Sequence, residues 1–227
     1  MPARIHDLLE IDVPCFLREQ PAAPRWAAES LQRIPFVVVR RGSATENEIP
    51  VGVRGARRSV RWATSCHPRL VKRILTPEEL LDLEIPDRMP ALRALHLLKE
   101  RWRQVWGPGG SVGFELATGE PVVTPDSYLD AVIYAARPID TSEARSLLES
   151  TRDLPAAVDV RVETPQVGFS LAEYVDRSGA TLLLRTPAGA VLGTDPWCVP
   201  SGDVTAAPVR VIQCPKKSDH FLDLRPI

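Results

Sequence analysis

The sequence predicts an α+β fold made of many short helices and strands. Its 22 prolines fall between the periodic segments, so regular elements end often and are joined by turns. Short apolar runs at residues 36–39 and 181–185 are typical of buried strands. Residues 91–105 instead carry apolar side chains at helical spacing with charged side chains between them, which predicts an amphipathic helix.

A connector divides the chain. Residues 84–90 contain two prolines and several charged residues, and they lie between a short predicted helix at Thr76 and the amphipathic helix. We therefore predict a small α/β N-terminal domain over residues 1–85. We predict a second domain over residues 86–227, with a mixed sheet and flanking helices.

Composition excludes several classes of protein. The 227 residues are 44% hydrophobic and 25% charged with a net charge of −1, so no overall positive field favours nucleic acid. No apolar run is long enough to cross a bilayer, and the N-terminus lacks the apolar core of a signal peptide. The four cysteines form no Cys-x-x-Cys pair, which argues against a zinc site and a disulfide framework. We expect a cytoplasmic protein without membrane or nucleic-acid partners.

Clustered arginines follow the strand predicted at residues 49–54. These arginines are Arg54, Arg57, Arg58 and Arg61. If a helix begins at Gly55, three of them share one side, where like charges repel and an anion would be favoured. Arginine forms forked contacts with phosphate, and no acidic residue lies between residues 51 and 76. A phosphate-binding segment and a solvated charged face both fit this pattern.

A glycine-serine pair precedes a strand that opens on an acid. Gly110 and Ser111 predict a turn whose backbone N–H groups and hydroxyl can contact phosphate oxygens. Asp130 stands at the head of the apolar run that follows. Together these residues suggest a site for phosphate and a divalent metal ion, because carboxylates hold the metal that bridges phosphate oxygens.

A second acid lies one helix further along the chain. Alternating valines at residues 158, 160 and 162 predict a strand that carries Asp159, Arg161 and Glu163 on its other face. Asp159 is where a second metal-binding carboxylate is expected. A half-exposed strand with charged residues on one face fits the same pattern. Near the N-terminus, we interpret His6 and Asp7 as a local cap or turn in preference to a direct role.

These segments together resemble a known family. The sequence is similar to the phosphoribosyl-dephospho-CoA transferases of malonate decarboxylase, also called its holo-acyl-carrier-protein synthases. The most specific segment is Gly-Ser-Val-Gly-Phe-Glu-Leu-Ala-Thr-Gly at residues 110–119. The other matching segments are residues 6–9, the arginine segment 51–61, residues 106–108, Pro125-Asp126-Ser127 before Asp130, and residues 158–165.

The resemblance implies a nucleotidyltransferase-like C-terminal domain and a specific reaction. Members move 2′-(5″-triphosphoribosyl)-3′-dephospho-CoA onto a serine of the acyl carrier subunit of malonate decarboxylase and release pyrophosphate. The resemblance further implies that Asp130, Asp159 and Ser111 are catalytic, with Mg²⁺ on the two aspartates. Gly110, Ser111 and the four arginines of residues 54–61 would bind the donor.

One position departs from the family pattern. The family has two alternating aspartates at the strand, whereas here the first is Tyr128, followed by Leu129 and Asp130. A neutral phenol is a poor Mg²⁺ ligand, so metal affinity should fall. A catalytically silent relative that binds nucleotide or carrier protein without turnover is therefore an alternative. A third hypothesis is a nucleotidyltransferase that acts on a small molecule.

Overall fold

A computed structural model describes residues 2–43, 45, 47–57, 59–176 and 181–198, together with the backbone of residues 211–212. Within these residues the chain forms two sheets and seven helices. The prediction of a mixed α+β architecture is confirmed. The division of the chain at residues 85 and 86 stays a prediction.

The N-terminal half is a five-stranded antiparallel sheet with two helices packed on it. Its order is β4-β3-β2-β1-β5. Its elements are β1 (Leu8–Ile11), α1 (Val13–Glu19), α2 (Arg25–Arg33), β2 (Phe36–Val39), β3 (Ile49–Arg54), β4 (Arg61–Cys66) and β5 (Val71–Leu75). Alternating apolar residues form its core, and Leu9, Val37 and Val51 are fully buried. Helix α1 begins where the side chain of Asp12 accepts a hydrogen bond from the Cys15 N–H, 3.0 Å away.

The C-terminal half contains a mixed sheet in the order β12-β11-β10-β9-β8-β7-β6. The elements leading to and forming it are α3 (Pro77–Leu80), α4 (Pro90–Arg101), β6 (Trp106–Pro108), α5 (Gly110–Thr118), β7 (Leu129–Tyr134), α6 (Thr141–Glu149), β8 (Val158–Glu163), β9 (Gly168–Ser170), α7 (Leu171–Asp176), β10 (Leu182–Thr186), β11 (Gly189–Gly193) and β12 (Val211–Ile212). Strands β7 and β8 are parallel and are connected through α6, as expected for a βαβ unit. Strand β6 pairs with β7 in the antiparallel sense.

The two faces of β7 and β8 have different roles. Leu129, Ala131 and Ile133 are buried in the same core cluster as the apolar side of α4. The alternate residues of β7 and β8 face the N-terminal half, and they include Asp130 and Asp159. These two acids are direct partners in the parallel register, so they lie side by side on one face. The predicted alternation of residues 158–163, with Asp159 on the face opposite the valines, is therefore confirmed.

Helix α3, which follows the N-terminal sheet and leads into the C-terminal half, packs closely against β6. Helix α3 begins with a capping box formed by Thr76 and Glu79. The first residue of α3 lies so near Gly107 that a Cβ atom there would be 2.0 Å from the Pro77 carbonyl oxygen. Only glycine therefore fits at position 107.

A hydrogen bond also joins the two halves. The Tyr134 hydroxyl donates to the Ile5 carbonyl over 2.7 Å.

Two local predictions are wrong. The arginine segment is not helical after Gly55, because β3 and β4 form an antiparallel hairpin in which Arg54 pairs with Arg61. The Gly55 N–H donates to the Val60 carbonyl over 2.9 Å and closes the hairpin. The pair Gly110-Ser111 does not form a simple turn, since it opens helix α5, which ends at Gly119 in the left-handed conformation.

Across the part of the chain that the structure describes, helices are too short or too polar to cross a lipid bilayer.

Candidate active site

A cavity of about 570 Å³ lies between the two halves of the chain. Its N-terminal wall includes residues of β2, of the β3–β4 hairpin and of the turn that contains His6. Its C-terminal wall includes residues of β7, β8, β9 and β10 and the start of α5. The cavity is large enough for a ligand the size of a nucleotide, and both halves are needed to form it.

Positive charge dominates the wall. The arginines that line the cavity are Arg40, Arg41, Arg54, Arg61, Arg161 and Arg185. The acids on the same wall are Asp130 and Glu163. Such an excess of guanidinium groups is costly in a partly buried space unless an anion offsets it.

Two of these arginines show that cost directly. Burial, with a further contribution from Arg185, lowers the pKa of Arg41 to about 10. Burial and then Arg161 also lower the pKa of Arg185, against the opposite effects of Asp159 and Glu173. The buried Nη1 of Arg185 has no hydrogen-bond partner among the residues that the structure describes. A bound anion would satisfy this donor.

The predicted arginine segment contributes only in part. Arg54 and Arg61 lie across from each other in the β3–β4 hairpin and both line the cavity. The guanidinium of Arg54 lies 5.3 Å from the centre of the Phe114 ring, a cation–π contact between the halves. Arg57 is exposed near the tip of the hairpin and is not part of the cavity wall. Arg58 lies outside the described residues.

Gly110 and Asp130 fit together tightly. Gly110 has φ = 58°, and a Cβ atom there would lie 1.8 Å from Oδ2 of Asp130. The Gly109 N–H also donates to the Asp130 carbonyl over 2.8 Å. The start of α5 is thereby fixed against the carboxylate of Asp130. Ser111 follows in the first turn of α5 but is not among the residues that line the cavity.

The two predicted metal ligands differ in their surroundings. Asp130 lines the cavity, whereas Asp159 is not part of its wall. Oδ2 of Asp159 accepts hydrogen bonds from Nε and Nη2 of Arg161 at 3.1 and 2.8 Å. Within the described residues, no group of three or more His, Cys, Asp or Glu side chains is placed to hold a metal ion. Two adjacent carboxylates nevertheless fit Mg²⁺ when phosphate oxygens complete its shell.

Tyr128 also lines the cavity, one residue before β7 begins. Tyr128, Asp130 and Val132 all belong to this wall, in agreement with the alternation of the strand. Tyr128, where the resemblance led us to expect an aspartate, therefore faces the same space as Asp130. Here it offers a phenol instead of a carboxylate.

His6 and Glu163 form a further part of the site that the sequence interpretation did not assign. Nε2 of His6 lies 2.9 Å from Oε1 of Glu163, and Arg41 pairs with the other oxygen of Glu163. Burial, then Arg41, and also Arg161 lower the pKa of His6 to about 4, while Asp130 and Asp7 act in the opposite direction. The ring is thus neutral at neutral pH. The interpretation of His6 as part of a local turn was incomplete, since the residue lies in a turn and also lines the cavity.

Comparison with known proteins places the chain in a family. The family model of the phosphoribosyl-dephospho-CoA transferase MdcG N-terminal domain matches residues 4–77. The model of the C-terminal domain matches residues 79–196. The chain belongs to the phosphoribosyl-dephospho-CoA transferase family. The resemblance inferred from the sequence is confirmed.

Individual family members are more than a third identical to this chain over the aligned residues. A phosphoribosyl-dephospho-CoA transferase of Pseudomonas syringae pv. tomato is 38% identical over 180 residues, which cover 77% of this chain and 85% of the relative. A phosphoribosyl-dephospho-CoA transferase of Klebsiella pneumoniae subsp. pneumoniae is 36% identical over 200 residues, which cover 86% of this chain and 96% of the relative. No solved structure matches the chain significantly, so the nucleotidyltransferase-like fold stays a prediction.

The cavity of this family member combines features that are suited to a bound anion. Guanidinium groups reach the cavity from both halves, the first residue of α5 lies on its wall, and the carboxylates of Asp130 and Glu163 lie there too. Arg40, Arg41, Arg161 and Arg185 were not predicted as site residues. Arg40 and Arg41 directly follow a buried strand, which was the only local signal for them.

Proposed function

We propose that the chain transfers the 2′-(5″-phosphoribosyl)-3′-dephospho-CoA group from its triphosphate precursor to a serine of the acyl carrier protein of malonate decarboxylase, releasing pyrophosphate. The observation that carries this proposal is the arginine-rich cavity between the halves, whose wall includes Arg185, a residue with a buried Nη1 that lacks a hydrogen-bond partner among the described residues. A triphosphate is the type of ligand whose charge would offset that of the arginines. Family membership supports the same reaction.

The residues of the cavity suit an in-line displacement. The carrier serine hydroxyl attacks the innermost phosphorus of the triphosphate while pyrophosphate leaves. Guanidinium groups on both walls hold the phosphates and take up the charge of the departing pyrophosphate. The large cavity gives the remainder of the donor room beside them.

Mg²⁺ is the proposed cofactor, held by Asp130 with Asp159 beside it on the neighbouring strand. When bound, it would neutralise part of the charge of the phosphates. Of the two carboxylates, only that of Asp130 lies on the cavity wall. The carboxylate of Asp159 accepts a hydrogen bond from Arg161 in the free protein.

The direct test is transfer to the carrier in vitro. Purified chain, Mg²⁺, the triphosphate donor and apo-carrier should yield carrier with the added mass of the prosthetic group and one pyrophosphate per carrier. A carrier whose acceptor serine is replaced by alanine should yield neither product. Arg54→Gln should raise KM for the donor about tenfold, because a charge-assisted contact contributes about 1.5–3 kcal/mol. Arg25→Gln, on the exposed side of α2, is the matched control and should not change KM.

A second candidate is a relative that binds without turnover. It is favoured by Tyr128 on the cavity wall and by the pairing of Asp159 with Arg161. This candidate predicts that the wild-type chain binds the donor but releases no pyrophosphate, and that Tyr128→Asp restores release. Robust release by the wild type excludes it. Pyrophosphate release from ordinary nucleoside triphosphates without carrier would instead indicate a small-molecule nucleotidyltransferase.

A further inference from the structure

A histidine and a glutamate from opposite halves meet on the cavity wall. His6 lies in the turn before β1, and Glu163 is the last residue of β8. Their closest atoms, Nε2 and Oε1, are 2.9 Å apart. The His6 side chain keeps 29% of its surface accessible because it borders the cavity. The protein atoms around it nevertheless lower its pKa through burial.

The backbone at His6 is held in an uncommon conformation. Its φ is 77°, in the left-handed region that residues other than glycine rarely adopt. The His6 N–H donates to the Val39 carbonyl over 2.9 Å, and the preceding Ile5 carbonyl accepts from the Tyr134 hydroxyl. Strained conformations of this kind persist where the surroundings fix them, and they are frequent at functional sites.

The contact with Glu163 determines which ring nitrogen carries the proton. A carboxylate only accepts hydrogen bonds, and Glu163 is also paired with Arg41, so Nε2 of the neutral ring is the donor. Nδ1 therefore keeps its lone pair. A neutral imidazole with one nitrogen fixed by a carboxylate and a free lone pair on the other is the arrangement of a general base.

We propose that His6 is the general base that accepts the proton of the attacking hydroxyl and that Glu163 is its positioning residue. This inference rests on the proposed function, which supplies the carrier serine as nucleophile. Nδ1 takes the hydroxyl proton as the serine oxygen bonds to the innermost phosphorus. The bond from that phosphorus to the bridging oxygen breaks, and pyrophosphate leaves with the electron pair. The imidazolium is stabilised by Glu163 and later gives its proton to solvent.

The charges around His6 are suited to this sequence of events. Arg41 and Arg161 disfavour a proton on the ring, while Asp130 and Asp7 favour one. A triphosphate beside the two arginines would offset their charge. The ring would then accept a proton more readily when the donor is bound, so that base strength rises when the substrate is present.

The kinetic test uses transfer to the carrier by the full chain. His6→Gln retains a group able to donate to Glu163 but removes the basic nitrogen, so kcat should fall about 10²- to 10⁴-fold while KM for the donor changes less than about threefold. Added imidazole should recover part of the activity in His6→Gly. Tyr134→Phe removes a hydrogen bond of the same interface without removing a base, and it should lower kcat less than about fivefold.

Three kinetic outcomes would overturn the assignment: His6→Gln within about threefold of wild-type kcat, no recovery by imidazole, or an equal loss in Tyr134→Phe. The last would show that docking of the N-terminal turn matters, and not a base. An inactive wild type would overturn the proposed function instead.

A second measurement does not depend on turnover. Nitrogen-15 NMR of histidine-labelled protein should show His6 as the Nε2–H tautomer, and inorganic tripolyphosphate should raise its pKa. Glu163→Gln should weaken this tautomer preference. A proton on Nδ1 in the free protein, or an unchanged His6 pKa with saturating tripolyphosphate, would overturn the proposal whatever the carrier assay shows.

Discussion

Arg185 should affect stability and ligand binding in opposite directions. Its Nη1 is buried and lacks a hydrogen-bond partner within the described chain, and burial and Arg161 both disfavour its charge. A buried unsatisfied donor costs about 1–3 kcal/mol, so Arg185→Met should raise the free energy of unfolding of the free protein by about 1 kcal/mol. The methionine retains the apolar stem of the side chain.

The same substitution should weaken binding of polyphosphate. A hydrogen bond to a charged group contributes about 1.5–3 kcal/mol, which corresponds to an increase in Kd of about 10- to 150-fold. Denaturant titrations with and without inorganic tripolyphosphate measure both effects in one experiment, because a ligand that binds only the native state stabilises it according to its Kd. Calorimetry gives Kd independently.

Arg152→Met is a suitable control. Arg152 is exposed and pairs with Glu149 on the surface, so its loss should change stability by less than about 1 kcal/mol and leave Kd unchanged. The reasoning about Arg185 is refuted if Arg185→Met destabilises the free protein and binds tripolyphosphate as tightly as the wild type. It would then be a structural residue and not part of an anion site.

Three further substitutions test other parts of the structure. Gly110→Ala should abolish transfer, because the added Cβ would displace the Asp130 carboxylate. Gly119→Ala is the control: Gly119 also has a positive φ but lies beside open space, so the variant should lose about 1–2 kcal/mol of unfolding free energy and stay active. Asp130→Asn should lower kcat at least 10²-fold in the pyrophosphate assay, whereas Asp126→Asn should stay near wild type. Burial raises the pKa of Asp7 from 3.8 to about 6, so the native state binds its proton more tightly. Stability should therefore fall as pH rises from about 4 to 6, by up to about 3 kcal/mol, and Asp7→Asn should remove this slope in denaturant titrations; an unchanged slope contradicts the assignment.

The sequence predicted the structure best where the apolar residues followed a single spacing, either that of a strand or that of a helix. Alternating valines at residues 158, 160 and 162 placed Asp159 on the polar face of β8, and the structure has the same register against Asp130. Helix α6 has a similar local signal in its sequence, because Asp140 stands just before its first residue and its side chain accepts a hydrogen bond from the Glu143 N–H. Local signals of this kind depend on a few neighbouring residues.

The prediction for the arginine segment was wrong because its residues fit both the spacing of a helix and that of a strand. Arg54, Arg58 and Arg61 match a helical face, but Val51 and Val53 are buried in strand alternation up to the closing hydrogen bond of the hairpin at Gly55. Helix α5 was missed as a helix because Gly109 makes no side-chain cap.

The sequence could not show that arginines from distant strands would meet in one cavity. Arg41, Arg161 and Arg185 come from separate strands or strand ends, and their approach depends on how the two sheets pack. The contact of His6 with Glu163 spans 157 positions of sequence. Spacing along the chain carries no information about such pairs.

Gly107 allows α3 to lie against β6 with no side chain between them. Its backbone touches Pro77, and the residue lines no part of the arginine-rich wall. Any side chain there would push α3, the link between the two halves, away from β6 while every charged group of the wall is kept. Variants at this position would therefore test how the placement of α3 affects the cavity without altering any charged group that lines it.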